Sequence, residues 1–201
     1  MSVEIWERPD GRRFVFGDSD DLPEGELYVG VREGEEDRWI ARGFAVWRRE
    51  DEIEIPTLPA SSSHDFLGLA DIDEELLRLL DDELRQDTPG SDGWQWPPKD
   101  FREETFDAPS VYLVERDYAG LCRVWLDKSP PRLGFVGVHR AHRRSGFGRA
   151  LVAAALGEVF ALGHPRVTAE VDEANAASQA LFRGFGARRI GGFVELVRPR
   201  L

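Results

Sequence analysis

The sequence predicts an α+β fold, a mixed central sheet flanked by helices, with a β-rich N-terminal extension. Three observations carry this. Residues 1–57 hold short β-rich runs separated by turn compositions. A long apolar-periodic helix follows a glycine-punctuated turn near residue 147. Between Asp71 and Leu201 the order reads helix, helix, three strands, helix, strand, helix, strand, which gives a sheet with both parallel and antiparallel neighbours.

In the first 57 residues the runs "RRFVF", "ELYVGV", "WIARGFAVW" and "EIEIP" read as strands, and "GDSDDLPEG" and "EGEED" as turns. "TLPASSSHD" reads as a linker, so the domain boundary is drawn after residue 57, with 58–201 as the second unit. From Asp71 the pattern turns helical. Asp71 or Asp73 can cap the helix, Glu74 and Glu75 suit the positive end of its dipole, and Leu76, Leu77, Leu80 and Leu84 form an apolar stripe. "DTPG" ends it, "SDGWQWPP" is a loop carrying Trp94 and Trp96, and "KDFREETF" is a short acidic helix. "SVYLVERD" and "AGLCRVWLD" are joined by so short a link that a hairpin is expected. "RLGFVGV" is a third strand. From Phe147 a helix runs to Leu162, with Leu151, Ala155, Val159 and Leu162 on one face and Val152, Leu156 and Phe160 beside it. "GHP" stops it. "RVTAEV", "NAASQALFRGF" and "ARRIGGFVELV" supply strand, helix and strand.

The composition excludes several classes of function. With 41% hydrophobic and 32% charged residues, the chain can fill a core and solvate its surface. No apolar run is long enough to span a membrane, and the N-terminus lacks the layout of a signal peptide. The single cysteine, Cys122, leaves no internal disulfide, fits a reducing cytoplasm and reads as a small core residue. The net charge of −12 is unevenly placed: the acidic excess lies in residues 1–100, and residues 101–201 are mildly basic. That balance argues against nucleic-acid binding, since a basic footprint would have to extend beyond one turn. An acidic half can steer a cationic partner or simply be solvated.

Against this background "HRAHRRSGFGRAL", residues 139–151, stands out. The first amides of a helix lack intrahelical partners, and its dipole adds positive charge at the same end. Gly146 and Gly148 carry no Cβ, so an anion can approach the backbone. Arg143, Arg144 and Arg149 supply full charges whose forks suit phosphate oxygens. The stretch therefore reads as a site for phosphate, and for a diphosphate in particular; a tight turn with a surface arginine cluster is the alternative. Leu151 stands where a dinucleotide fingerprint needs its third glycine, and neither a nucleotide P-loop nor a Gly-x-Ser-x-Gly elbow occurs. His139 and His142 read as exposed turn residues, and no metal site is expected beside them.

"VHRAHRRSGFGRALV" resembles the coenzyme A diphosphate loop of the GNAT acetyltransferase superfamily, Arg/Gln-x-x-Gly-x-Gly/Ala after a strand ending in valine. Arg143, Gly146 and Gly148 fill those places, and Val138 ends the strand. "AEVDEANAASQALFRGFGA" is similar to the family's later strand and helix, with Asn175 at the helix start. The resemblance covers roughly residues 58–201 and finds no match in 1–57. It implies a GNAT-type sheet whose strand at Phe135–Val138 splays from the "TAEV" strand. In that gap the pantetheine arm of acetyl-CoA, the cosubstrate, would pair with the backbone of Val136, Gly137 and Val138. An N–H near Val136 would polarise the thioester carbonyl. Arg143, Arg144, Ser145, Gly146, Phe147 and Gly148 would hold the diphosphate, and Asn175 and Ser178 would face the pantetheine or nucleotide end. No metal is implied.

The implied reaction is direct acetyl transfer to an amine, either a small molecule or a protein N-terminus or lysine. An alkylammonium titrates at about 10.4, so the acceptor must lose a proton. Glu170 falls where the branch acetylating ribosomal-protein N-termini carries its glutamate; a strand carboxylate paired with a nearby arginine explains it equally well. The sequence departs from the family at two places. Phe182 stands where the general-acid tyrosine is often found, and Arg132 where some histone-acetylating relatives carry a base glutamate. Tyr112, Tyr118, His139 or water are the remaining proton sources. These departures keep open a second reading, a catalytically weak acyl-CoA-binding regulatory module. Trp94, Trp96, Glu103 and Glu104 are expected near the acceptor cleft, where they suit a cationic or aromatic amine; tryptophans that pack the loop onto the core are the equal alternative. Capping the cleft, extending the sheet and pairing two copies as a homodimer are the roles open to residues 1–57.

Overall fold

The computed structural model describes residues 4–8, 11–17, 22–59, 66–91 and 95–199. Among these residues ten strands form one sheet: β1 (Glu4–Glu7), β2 (Arg13–Phe16), β3 (Leu27–Arg32), β4 (Ala45–Pro56), β5 (Phe66–Leu67), β6 (Ser110–Glu115), β7 (Gly120–Trp125), β8 (Arg132–Val138), β9 (Arg166–Asp172) and β10 (Arg188–Arg198). Their spatial order is β1-β2-β3-β10-β4-β9-β8-β7-β6-β5. Five α-helices among the described residues accompany them: α1 (Asp37–Ile40), α2 (Glu74–Gln86), α3 (Pro98–Arg102), α4 (Phe147–Ala161) and α5 (Ala176–Arg183). Neighbouring strands are antiparallel except β8 with β9 and the single β2–β3 bridge, so the mixed α+β sheet read from the sequence is the fold observed. No helix among the described residues is long and apolar enough to cross a membrane.

Alternation along the strands sends side chains to two faces. On one, α4 places Leu151, Val152, Ala155, Leu156 and Val159 against Ile53, Ile55, Cys122, Val124, Leu133, Val167, Ala169 and Val171, and Phe182 of α5 and Phe185 just after it join them. On the other, Leu77, Leu80 and Leu84 of α2 and Phe101 of α3 cover Tyr112, Val114 and Leu121. Each leucine of this kind, fully buried, contributes about 1.5–3 kcal/mol. The N-cap of α2 is Asp73, whose carboxylate accepts from Leu76 N at 3.0 Å. Its last turn is held by a buried Arg85–Asp81 pair at 2.5 Å.

Four details differ from the sequence reading. "WIARGFAVW" is not one strand: Trp39 and Ile40 end the short helix α1, Gly43 turns the chain at φ 85°, and β4 begins at Ala45. β4 then continues without a break to Pro56, taking in "EIEIP". Leu76 and Leu162, assigned to apolar faces, are 50% and 58% exposed: Leu76 lies at the edge of its helical stripe, and Leu162 is the C-cap, just past the end of α4 at Ala161. The sequence also gave no sign of β1 or of the two-residue β5.

The boundary drawn after residue 57 falls at the end of a strand inside the sheet. β4 pairs with β9 from Glu50↔Asp172 to Pro56↔Arg166 and with β10 from Arg188↔Glu54 to Val197↔Ala45. Val15, Leu27, Val29, Val31, Trp39 and Phe44 share a core with Val194 and Leu196 of β10. Residues 60–65 of the expected linker lie outside the described residues.

Candidate active site

The parallel strands β8 and β9 are paired at Arg132↔Thr168 and Leu133↔Ala169, and no pairing continues beyond Leu133. β8 stays on β7 to Gly120↔Val138, and β9 stays on β4 to Glu50↔Asp172. The facing edges from Gly134 onward therefore part, leaving backbone donors and acceptors without a strand partner among the described residues. Gly134 marks the point of divergence: β7 and β8 shift register there, and the Trp125 ring lies so close that a Cβ on residue 134 would sit 2.3 Å from it.

At the end of β8 the chain makes a single 3₁₀ turn, Arg140–His142, and enters the basic loop. Arg144 adopts φ 65° and Gly146 φ 93°. Gly146 is the N-cap of α4, no side chain caps that end, and nothing lies within 4 Å of where its Cβ would be. The first turn of α4 is thus open to an anion. Arg143 sits beside it, donating from Nε to Val138 O at 2.9 Å and from Nη2 to Asp87 at 2.6 Å. Ser145 Oγ donates to His142 O, and Phe147 and Gly148 open the helix. Arg149 instead lies over the Phe185 ring at 4.8 Å. The set suits a diphosphate: open helix amides, a left-handed glycine and exposed guanidinium groups.

A cleft of about 140 Å³ runs through the gap between the strands. Gly134, Phe135 and Val136 line it from β8, Glu170, Val171 and Asp172 from β9, and Asn175, Ser178 and Phe182 from α5. Thr88 to Ser91, just after α2, and Arg48 and Glu50 of β4 complete it. Val136, Glu170, Asn175 and Ser178 are thereby brought together. Gly137 and Val138 lie further along β8, leading to the basic loop. Asn175 Oδ1 accepts from Ser178 N at 3.1 Å, so it caps α5 while lining the cleft.

The carboxylates of the cleft differ in their partners. Arg132 donates from Nη2 to Glu170 Oε2, a pair that opposes the effect of burial; burial dominates, and the Glu170 carboxyl is raised above its ordinary range. Arg48 donates from Nε and Nη2 to both oxygens of Glu195, at 2.8 and 3.0 Å, and from Nη1 to Gly90 O at 2.8 Å. Glu50 approaches Arg48 Nη1 at 3.2 Å and Asp172 does so at 3.8 Å. Burial and the neighbouring Glu195, Glu170 and Asp172 outweigh Arg48, and the Glu50 carboxyl is pushed up to about 7.

The other expected residues lie elsewhere. Phe182 lines the cleft at 3% exposure, in the place considered for an acid. Tyr112 is buried beneath α2 near Asp81, Arg123 and Arg85, and burial drives its hydroxyl far above its usual range. Tyr118 Oη accepts from Asp73 N, and His139 Nε2 stands 2.9 Å from Glu83. Cys122 is fully buried, its thiol pushed up to about 12. Trp96 stands beneath α2 and α3 with Arg85 5.9 Å from its ring, Glu103 and Glu104 open the π-helical turn after α3, and Trp94 lies outside the described residues. Sequence reasoning missed Arg48 and Glu50. "RREDE" gives no local sign of burial; its pairing with β9 and β10, more than a hundred residues away, creates the site.

Residues 74–187 match the model of the acetyltransferase (GNAT) family. Nothing among curated protein sequences matches the chain. Among solved structures, a GCN5-related N-acetyltransferase from Sphaerobacter thermophilus superposes with a TM-score of 0.72 at 17% identity, covering 99% of this chain and 77% of that one. A GCN5-related N-acetyltransferase from Kribbella flavida gives 0.61 at 16% identity, with 86% and 68% covered. A tandem GNAT protein from the clavulanic acid biosynthesis pathway gives 0.59 at 18%, with 86% and 63% covered. The similarity to these structures is one of fold. Together with the family match over more than half the sequence, it places the chain in the GNAT acetyltransferase family.

Proposed function

We propose that the protein transfers an acetyl group from acetyl-CoA directly to an amine, on a small molecule or on a protein N-terminus or lysine. The observation that carries this reading is the parting of β8 and β9 beyond Leu133, with an uncapped, glycine-started helix at the end of β8. A thioester-bearing arm fits the gap by pairing with the free backbone edge at Val136, Gly137 and Val138. Arg143, Arg144, Ser145 and the amides of Gly146, Phe147 and Gly148 then receive the diphosphate. Asn175 and Ser178 contact the arm from α5, and an N–H near Val136 faces the carbonyl oxygen as negative charge develops on it. The C–N bond forms as the C–S bond breaks. One amine proton passes to a carboxylate of the cleft, where Glu170 and Glu50 stand on neighbouring strands. The thiolate takes a proton from water. No metal enters this scheme. The single buried cysteine suits a reducing compartment, the cytoplasm.

Phe182 favours a second reading, an acyl-CoA-binding module with little turnover, because it stands at 3% exposure where the family often has a tyrosine. Release of free thiol from acetyl-CoA over a panel of primary amines separates the two. Amine-dependent release supports the enzyme; tight acetyl-CoA binding without release from any amine supports the module.

A further inference from the structure

We infer that Glu50, carried into the cleft by the N-terminal strand β4, takes the proton from the acceptor amine, and that Glu170 does not. The inference rests on the acetyl-transfer reading above and assigns its chemistry to a residue outside the stretch that resembles the family. Alternation puts Arg48, Glu50, Glu170 and Asp172 on the face covered by α2, opposite the face where α4 and α5 pack. A cosubstrate held by Asn175, Ser178 and the α4 loop approaches from the α4 and α5 side. The acceptor is left the other mouth of the cleft, among these carboxylates.

The hydrogen bonds then distinguish the candidates. Glu170 receives a hydrogen bond from Arg132, which favours its ionised form against the effect of burial. Protonating it would cost that bond. Arg48, beside Glu50, spends its hydrogen bonds on Glu195 and on the Gly90 carbonyl. Among the described residues the Glu50 side chain keeps only a side-on charge contact with Arg48, at 3.2 Å. It faces Arg48 on its own strand, Glu195 on β10, and Glu170 and Asp172 on β9, so three carboxylates surround it against one shared arginine. That setting holds the carboxyl near 7, where it is ionised enough to accept a proton at neutral pH and basic enough to drive the transfer. In the step itself, an ammonium N–H breaks, an O–H forms on Glu50, and the neutral amine attacks the thioester carbon. As the C–S bond breaks, the second N–H proton leaves the nitrogen of the new C–N bond and passes through water to the departing thiolate. Glu50 returns its proton to water after the product leaves.

Three measurements on the full chain test this. Acetyl-CoA affinity is read by calorimetry for the intact protein, Glu50→Gln and Glu170→Gln, and all three are expected to bind alike. The pH dependence of kcat/KM is read with the best amine of the panel. Glu50→Gln is expected to lose about 10²–10⁴-fold and to lose the rise of kcat/KM near pH 7; Glu170→Gln is expected to keep that rise and to lose less than tenfold. A Glu50→Gln enzyme that keeps its rate and its rise, or a Glu170→Gln enzyme that loses both, overturns the assignment. NMR titration of the Glu50 side-chain carboxyl needs no turnover. A midpoint in the ordinary carboxylate range overturns the assignment even if no amine is accepted. A midpoint near 7 with no transfer to any amine instead removes the acetyl-transfer reading, and with it the step assigned to Glu50.

Discussion

A carboxyl group held near 7 costs stability wherever it is ionised, and Glu50 illustrates the exchange of stability for chemistry. Its ordinary value is 4.5, and in the fold it stands at about 7, because burial and three neighbouring carboxylates penalise the charge. Between those values the native state binds more protons than the unfolded chain, so this contribution to stability is present at acid pH and is lost as pH rises toward 7. Glu50→Gln removes the penalty while Arg48 keeps Glu195 and the Gly90 carbonyl. The variant is expected to melt higher than the parent at pH 8, by about 2–4 °C for each kcal/mol relieved, and within a degree of it at pH 4.5. Thermal scans at the two pH values check this; an equal or lower melting point at pH 8 contradicts it. None of this was legible in "RREDE", because a charged run looks solvated until distant strands close over it. Glu170 was legible from its spacing to Asn175, yet its bond to Arg132 was not, since that bond follows from the pairing of β8 with β9.

At the scale of elements, the basic loop and α4 were legible because their requirements are local. A left-handed N-cap needs glycine, and Gly146 supplies it; the apolar period of α4 follows directly in sequence. The grip of α2 on that loop was not legible. Asp87, just past the end of α2, holds Arg143, and Glu83 holds His139. On the proposed reading, an incoming diphosphate competes with Asp87 for the same guanidinium group. Asp87→Asn is therefore expected to tighten acetyl-CoA binding by about two- to fivefold, the range an exposed ion pair allows. Weaker binding would mean that Asp87 supports the loop. The turn that Asp87 begins ends at Gly90 and Ser91, and the Gly90 carbonyl holds Arg48 beside Glu50. A continuous chain of contacts thus joins the basic loop, proposed to receive the diphosphate, to Glu50, the carboxylate proposed to take the proton.

The whole molecule is organised around β4. Read in sequence order, residues 1–57 look like an attachment to a complete unit. In the sheet they supply the strand between β9 and β10, together with Ile53 and Ile55 of the main core. Composition and periodicity named most strands and helices but could not order them, because strand order depends on pairing between segments far apart in the chain. A fragment of residues 58–201 would leave β9 and β10 without their common neighbour, and would expose the apolar face that Ile53 and Ile55 cover. It is expected to lack a cooperative thermal transition by circular dichroism; a sharp transition in the fragment would show that the unit folds without β4. The account as a whole turns on what the parted strands and the basic loop hold. Calorimetric titration of the full chain with acetyl-CoA, beside an Arg143→Ala, Gly146→Ala double variant of the same thermal stability, tests that most directly. Micromolar binding by the parent, weakened at least tenfold in the variant, is the predicted result. No binding by the parent, or equal binding by both proteins, would contradict it.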